Sequence, residues 1–586
     1  MAQDPATGTR GGWVSRMLDV WREQGACAVL QALAFRSWKS PLRGDCTSGV
    51  VFQYLDKAGG VAVVRGFVPE AFRRTRGSAG NAFFLVSRSS RQKIPLEPCS
   101  QFLFAREVTE GARFEVRLGA LEYGDYHAAF EKPCGIALGP RFPLAFNYRN
   151  QWVRLAKDKA LRMRRDGSFA VFRPTPARRA ALEIGFLAEL VAHRTLPEWI
   201  AAFTRVAFFF WRPFHRGRYW IFSDKLSNPI DSAYSVAKAL VGNGAFDAER
   251  IVPYYLVDGR HSLRVKLPPK LKTVRYLSLR HRLLFLAAEA SVTSEGGYAP
   301  FVPLAPYSDI TAWQLRVSSL HGLVHHDLSA IYGRDFNNFN LMLTGVEREA
   351  EYERGGLWGY AGEDVVCTGL PRWDDRESEP GRKIYFVFTW RNNLVESSDP
   401  VTKERKYGAL LENSEYKAKL QALLANPQLH DLAVKYGYSL EFLPHPLMRN
   451  AMSFFNFPDY VRIVPEDIPY EDIYRDASLA VTDYSSIAMD MAYLGKPVVY
   501  YQFDHDEFYA TQGYAESFFS WKDDGFGPVV QDEGKVVDAI SGILADGCVR
   551  GAEYERRAQA FFPRRDKDNG LRACRAVFDK IKRCNG

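Results

Sequence analysis

The sequence predicts an α/β chain in which two Rossmann-like domains face each other, preceded by an N-terminal helical segment and a small β-sandwich-like accessory domain. From Tyr219 onward, short apolar runs alternate with helical patterns, as in doubly wound parallel sheets. A second series of the same kind begins near Asp364. Between Gly49 and Phe130, by contrast, apolar and polar residues alternate in short runs at the period of half-buried strands.

At 586 residues the chain is long for a single core, and its 47% hydrophobic and 25% charged composition is that of a globular protein. The 77 Lys and Arg exceed the 68 Asp and Glu, giving a net charge of +9. That suits an anionic partner but lacks the density of a nucleic-acid binder. Eight cysteines are scattered without a Cys-x-x-Cys pair, which argues against a zinc site or a disulfide framework and fits a reducing cytoplasm. The first residues lack the basic-then-apolar pattern of a signal peptide, and the best apolar stretch, 200–211, is interrupted by Arg205. No membrane-spanning segment is expected.

In chain order, residues 1–45 form an amphipathic helical segment, with Trp13, Met17, Val20 and Trp21 at helical spacing. It reads either as an interfacial helix on anionic lipid or as a helix docked on the next domain. Residues 46–148 are the β-rich accessory domain, with strands at 50–54, 60–64, 82–86 and 113–118. Residues 149–217 are a basic and aromatic helical linker. Between Arg149 and Arg179, ten Arg or Lys stand against only Asp158 and Asp166. Trp199, Phe203, Val206, Phe210 and Trp211 share one helical face beside Arg212, His215, Arg216 and Arg218, a combination that offers a contact for a membrane surface or a polyanion.

Residues 218–365 make the first Rossmann-like domain, assigned to the acceptor. Its strands are expected at 219–223, 252–257, 273–277, 290–294 and 316–319. Residues 366–586 make the second, assigned to the nucleotide donor, with strands at 383–388, 440–443, 461–464, 479–481 and 498–503. Neither opens on Gly-x-Gly-x-x-Gly, which weakens a dinucleotide reading.

The stretch 478–501 reads as strand, turn, helix, strand, broken by the hydroxyl cluster Thr482-Asp483-Tyr484-Ser485-Ser486. Such a turn offers backbone N–H groups and a helix start to a phosphate, although Ser485 and Ser486 can equally just cap the helix. His321 follows a strand in the first domain and His445 a strand in the second, held between Pro444 and Pro446. A histidine so placed can act as a general base. Arg391, after the strand ending at Phe388, and Arg372, in the Gly369–Arg372 turn, are guanidinia that can fork onto phosphate. Asp490 can meet a ribose or polyol hydroxyl or orient Ser486. His325 and His326 read as solvated neighbours of a binding loop, and no acidic ligand stands at metal-binding spacing near them.

Over roughly 219–540 the chain resembles the CDP-glycerol glycerophosphotransferases, which polymerise teichoic acids and related polyol-phosphate capsules. The most specific part is the run from Asp472 to Asp490, followed by Lys496-Pro497, Tyr500, Asp504, Tyr509 and Phe526 to Val530. Phe222-Ser223-Asp224 with Asp231, His321-Gly322, Gly369 to Arg372, Thr389 to Arg391 and His445-Pro446 occur in the family's order. Four places depart from it. Leu320 stands where the family commonly has Trp, His325-His326 where a lysine is expected, Leu443-Pro444 where an arginine often precedes the second His-Pro, and Trp373 where Asn is common.

The resemblance implies a GT-B-like pair of domains and transfer of glycerol- or ribitol-phosphate from a CDP-activated donor to the hydroxyl end of a lipid-linked polymer, releasing CMP. It implies catalysis by His321 and His445. Thr482, Asp483, Ser485, Ser486, Arg391, Arg372 and Asp490 would hold the donor's phosphates and nucleotide, and Gly322, His325, His326 and Asp224 would support the acceptor or the loop. No cofactor, metal or nucleic acid is implied, and the expected location is peripheral, on the cytoplasmic face of the plasma membrane at an anionic surface. A two-domain glycosyltransferase using a nucleotide sugar is the alternative, and an inactive scaffold that binds membrane or polymer is a second.

Overall fold

The computed structural model describes the strands between residues 50 and 163 and, from 169 to 585, all but 193, 227–228, 259–266, 296–306, 312–313, 335–338, 356–357, 380, 399–404 and 467. The aromatic helical segment expected over 12–43 lies outside the described residues.

A parallel sheet covered by helices on both faces needs strands that are apolar at nearly every position. Arg218–Ser223 has that character: Trp220 and Phe222 enter one core, Tyr219 and Ile221 the other, and all four are buried. It is the third of seven parallel strands. Their spatial order is Lys272–Arg275, Ile251–Val257, Arg218–Ser223, Ala288–Thr293, Leu315–Ser318, Leu341–Thr344 and Val365–Cys367. The second domain repeats this topology in six parallel strands, Val461–Ile463, Ser439–Phe442, Lys383–Val387, Ala477–Thr482, Val498–Tyr501 and Val529–Val530. Ile384 and Phe386 face one core and Tyr385 and Val387 the other. In each sheet the strand order reverses beside the first strand, which opens a crevice at the carboxyl ends of the first and fourth strands. One apolar cluster bridges the domains, joining Leu323, Val346, Leu370 and Trp373 of the first to Tyr484 and Ile487 of the second.

The structure corrects three expected boundaries. Leu341–Thr344 and Val365–Cys367 extend the first sheet, so a division after residue 365 would cut a strand. Both are too short to show a period in the sequence. The last helix, Asn569–Asn585, belongs to the first domain rather than the second. Its Phe578 ring lies 4.7 Å from that of Trp220, and Lys580 pairs with Asp364, which also pairs with Arg334. Gly369, at φ +77°, lets the chain pass Asn569 at the foot of this helix, where a side chain would collide with it.

The accessory region forms a five-stranded and a six-stranded sheet. The four expected strands overlap Val50–Ala58, Val61–Pro69, Phe83–Ser87 and Glu107–Arg117. Trp152–Arg154, Ala160–Met163 and Phe169–Phe172 add antiparallel strands to the sheet containing Gly124–Ala129. The basic stretch expected to start a helical linker at 149 therefore begins as sheet, and helices follow only at Pro176–Ala192 and Leu196–Trp211.

Truncating Phe578 to Ala would open a cavity between the last helix and Trp220. We expect Phe578→Ala to lower the stability of the first domain by about 3–5 kcal/mol, read from the shift in its denaturant unfolding midpoint.

Candidate active site

The loop that carries His321 is tied to the adjacent strand before it turns. Ser319 donates to the Thr293 carbonyl through its backbone N–H (2.8 Å) and its hydroxyl (3.1 Å). Leu320 then takes φ +40° with its side chain buried, a left-handed conformation that costs energy in a non-glycine residue and is held here by packing. The turn brings His321 Nδ1 to 3.3 Å from the Ser294 carbonyl. A carbonyl only accepts, so Nδ1 carries the proton and Nε2 presents a lone pair. His445 is poised the other way. Its Nδ1 accepts from the Leu447 N–H at 3.2 Å, which leaves the proton of the neutral ring on Nε2.

Both rings are held neutral. His321 keeps an exposed edge on the cleft while protein encloses its other sides. That enclosure lowers its pKa to about 4, reinforced by the Arg372 guanidinium. Burial lowers His445 to about 3, with Lys225, Arg405 and His321 adding to it. The two imidazoles therefore lie within electrostatic reach of each other across the cleft.

The turn after Ala477–Thr482 is built from inside. The Thr482 hydroxyl donates to the Val387 carbonyl at 2.6 Å. Asp483, fully buried, accepts from the Thr389 N–H and hydroxyl (both 2.9 Å), from the Tyr484 N–H (2.6 Å) and from Arg391 (2.9 Å). Arg391 also forks onto Asp504 at 2.7 and 3.0 Å. The expectation that Thr482, Asp483 and Arg391 face a phosphate is thus corrected: buried groups need partners, and these have found them within the protein. Ser485 and Ser486 are half-buried. Ser486 makes no side-chain cap and Ser485 Oγ receives only the Ile487 N–H, at 3.4 Å. The helix they precede, Ile487–Tyr493, has seven residues, so the turn's own N–H groups matter more than a helix dipole.

Arg372 joins this turn to the His321 loop. It donates to the His321 carbonyl and to Asp490, and lies 3.5 Å from Asp231. Asp490 also accepts from Trp373 Nε1 at 3.0 Å and Tyr474 OH at 3.4 Å. Neither Arg372 nor Asp490 is open to a ligand as expected, since both are buried and paired. Trp373, a departure from the family pattern, completes the pairing of Asp490 and stacks on Tyr493. Gly322 permits close approach of the domains, because an added Cβ would lie 3.3 Å from Ser486 Oγ.

His325 and His326 are buried rather than solvated. Both donate from Nε2 to the Tyr484 carbonyl, at 2.9 and 3.0 Å, latching the loop to the serine turn. His326 Nδ1 accepts from Tyr509 OH, whose oxygen in turn accepts from Trp521 Nε1. Asp224 supports the loop less directly: it accepts from the Asp231, Ala233 and Tyr234 N–H groups and from Tyr255 OH, and so holds the start of Ser232–Gly242. Glu349, not foreseen from the sequence, accepts from the Val324 and Gly345 N–H groups at 2.6 Å each beneath the loop. A glutamate on a short helix carries no local sign of this role. Among the described residues, no group of three or more His, Cys, Asp or Glu is placed to hold a metal ion.

Residues 364–579 match the family model of CDP-glycerol:poly(glycerophosphate) glycerophosphotransferase. The chain is 26% identical over 373 residues to the minor teichoic acid biosynthesis protein GgaB of Bacillus subtilis (strain 168), covering 62% of this chain and 40% of that protein. It is 25% identical over 194 residues to the teichoic acid ribitol-phosphate polymerase TarK of Staphylococcus aureus (strain NCTC 8325 / PS 47), covering 31% and 35%. It thus spans less than half the length of these curated relatives. A structure of the wall teichoic acid polymerase TagF aligns with 69% of this chain and 98% of its own, at 14% identity and a TM-score of 0.47.

Removing the guanidinium at the junction would deprive the buried Asp490 and the half-buried Asp231 of the cation they share. Arg372→Ala is expected to cost about 3–5 kcal/mol, measured by chemical denaturation, with Asp490→Asn in the same background recovering part of the loss.

Proposed function

With residues 364–579 belonging to the CDP-glycerol:poly(glycerophosphate) glycerophosphotransferase family, we propose that the chain transfers glycerol- or ribitol-phosphate from a CDP-activated donor to the terminal hydroxyl of a lipid-linked teichoic acid-like or capsular polymer. One observation carries this above the others. Two neutral imidazoles stand at the carboxyl ends of facing sheets, His321 presenting a lone pair and His445 an N–H.

His321 Nε2 takes the proton of the acceptor hydroxyl as its oxygen attacks the β-phosphorus. The new P–O bond forms while the bond to the CMP oxygen breaks, and CMP leaves. Charge developing on the phosphoryl oxygens meets the His445 Nε2–H and the N–H groups of the Ser485–Ser486 turn, fixed donors that need no reorganisation. The opposite tautomers favour this division of the roles over its exchange.

The acceptor would be met at an anionic membrane surface, on the cytoplasmic face. Leu196–Trp211 exposes Trp199, Phe203 and Phe210, and Phe214 follows, with Arg212 and Arg216 alongside. Large exposed apolar side chains rimmed by cations suit the headgroup region of anionic lipid. No helix among the described residues is long and apolar enough to cross a membrane.

With a CDP-polyol and a lipid acceptor, the released nucleotide should be CMP; a nucleoside diphosphate would point to sugar transfer instead. His321→Ala should lower kcat by about 100- to 10,000-fold with the fold retained. Because the His321 pKa lies near 4, the base stays unprotonated well below neutrality. The acid limb of the kcat/KM profile should therefore fall near pH 4 to 5 rather than at the ordinary histidine value of about 6.5. The combined Phe203→Ser, Phe210→Ser and Phe214→Ser variant should lose sedimentation with phosphatidylglycerol vesicles while keeping turnover of a short soluble acceptor.

A further inference from the structure

A nucleoside diphosphate needs cations whose charge is not already spent. The guanidinia nearest the serine turn are spent, Arg372 on Asp490 and Asp231 and Arg391 on Asp483 and Asp504. Two other cations border the cleft without a carboxylate partner among the described residues. Lys225 directly follows Asp224 at the carboxyl end of the strand Arg218–Ser223. Its side chain is exposed, and its charge is felt by His321, His445 and Glu295 without an ion pair to any of them.

Arg405 approaches from the second domain. Its guanidinium lies over the Trp390 ring, 3.4 Å from the centroid, and its carbonyl accepts from the side chain of Asn450, in the 3-10 helix that begins beside His445. The side chains that bear on its charge are the neutral Tyr407 and Tyr514, and its own charge is felt by His445. His445 is thus flanked by a lysine from one domain and an arginine from the other, neither held in an ion pair among the described residues. A cleft lined by one sign of charge collects an anion of the opposite sign.

We propose that Lys225 and Arg405 grip the diphosphate of the CDP-linked donor from the two sides of the cleft, making it the bridge between the domains. This rests on the donor assigned above. Stacking on Trp390 keeps the Arg405 fork pre-oriented, whereas Lys225 acts as a point charge on a flexible stem. The grip would favour two phosphates over one, so it loosens once transfer leaves CMP.

The test is calorimetric titration of the full chain with CDP and with CMP. The wild type should bind CDP more tightly than CMP. Lys225→Gln and Arg405→Gln should each weaken CDP by about 10-fold while leaving CMP within about 2-fold, and Lys225→Arg should restore most of the CDP affinity. Equal losses for CDP and CMP, or no loss for CDP, would overturn the proposal. Thermal unfolding midpoints matching the wild type would show that the variants are folded. A wild type that binds neither nucleotide would remove the donor assignment and this inference together. Wild-type CDP binding with unaltered affinity in the variants would remove the inference alone.

Discussion

The Arg372 guanidinium lies where the two domains meet, and acceptors from three parts of the chain converge on it: the His321 carbonyl, Asp490 and Asp231. A planar donor fork fixes direction as well as distance, and the buried Asp490 cannot turn to water instead. The position of the histidine loop relative to the serine turn is therefore set from beneath. Gly322 lets the two surfaces close without a side chain between them. The paired imidazoles of His325 and His326 on the Tyr484 carbonyl hold the same junction from the other side. Without the guanidinium, His321 and the serine turn would be aligned by the Tyr484 latch and apolar packing alone on that side of the junction.

Charges in the cleft fall into two populations. One is neutralised inside the protein: Asp483, Asp490 and Asp504 with Arg372 and Arg391, all buried or nearly so. These groups shape the turns. The other borders the cleft without an ion pair among the described residues, in Lys225 and Arg405, and between them the imidazoles are kept neutral by enclosure and by nearby positive charge. A ring whose pKa lies far below working pH remains a competent proton acceptor, and a neighbouring N–H remains a donor, without either being charged at rest. Preorganised dipoles of this kind act on charge that develops during reaction.

The strand alternation that announced two doubly wound sheets was legible because parallel strands buried on both faces need continuous apolar runs, as in Trp220-Ile221-Phe222 and Ile384-Tyr385-Phe386. The short strands Leu341–Thr344 and Val365–Cys367 were not, since three or four residues carry no period. The return of Asn569–Asn585 to the first domain was hidden for a different reason: an amphipathic helix shows that it has an apolar face but not which surface covers it. Likewise Glu349, Lys225 and Arg405 look like ordinary surface charges until the fold places one beneath a loop and two around a cleft.

By itself the sequence determined the α/β class with parallel sheets, the two histidines at strand ends, the hydroxyl turn at 482–486 and the resemblance to one family, because each rests on local patterning or on an ordered set of short motifs. Which charged residues are tied up inside the protein was decided only by the tertiary structure. A buried arginine and an exposed one read alike along the chain. What separates Arg372 and Arg391 from Lys225 and Arg405 is whether a carboxylate distant in sequence has been folded against them, and that is a property of three-dimensional proximity alone.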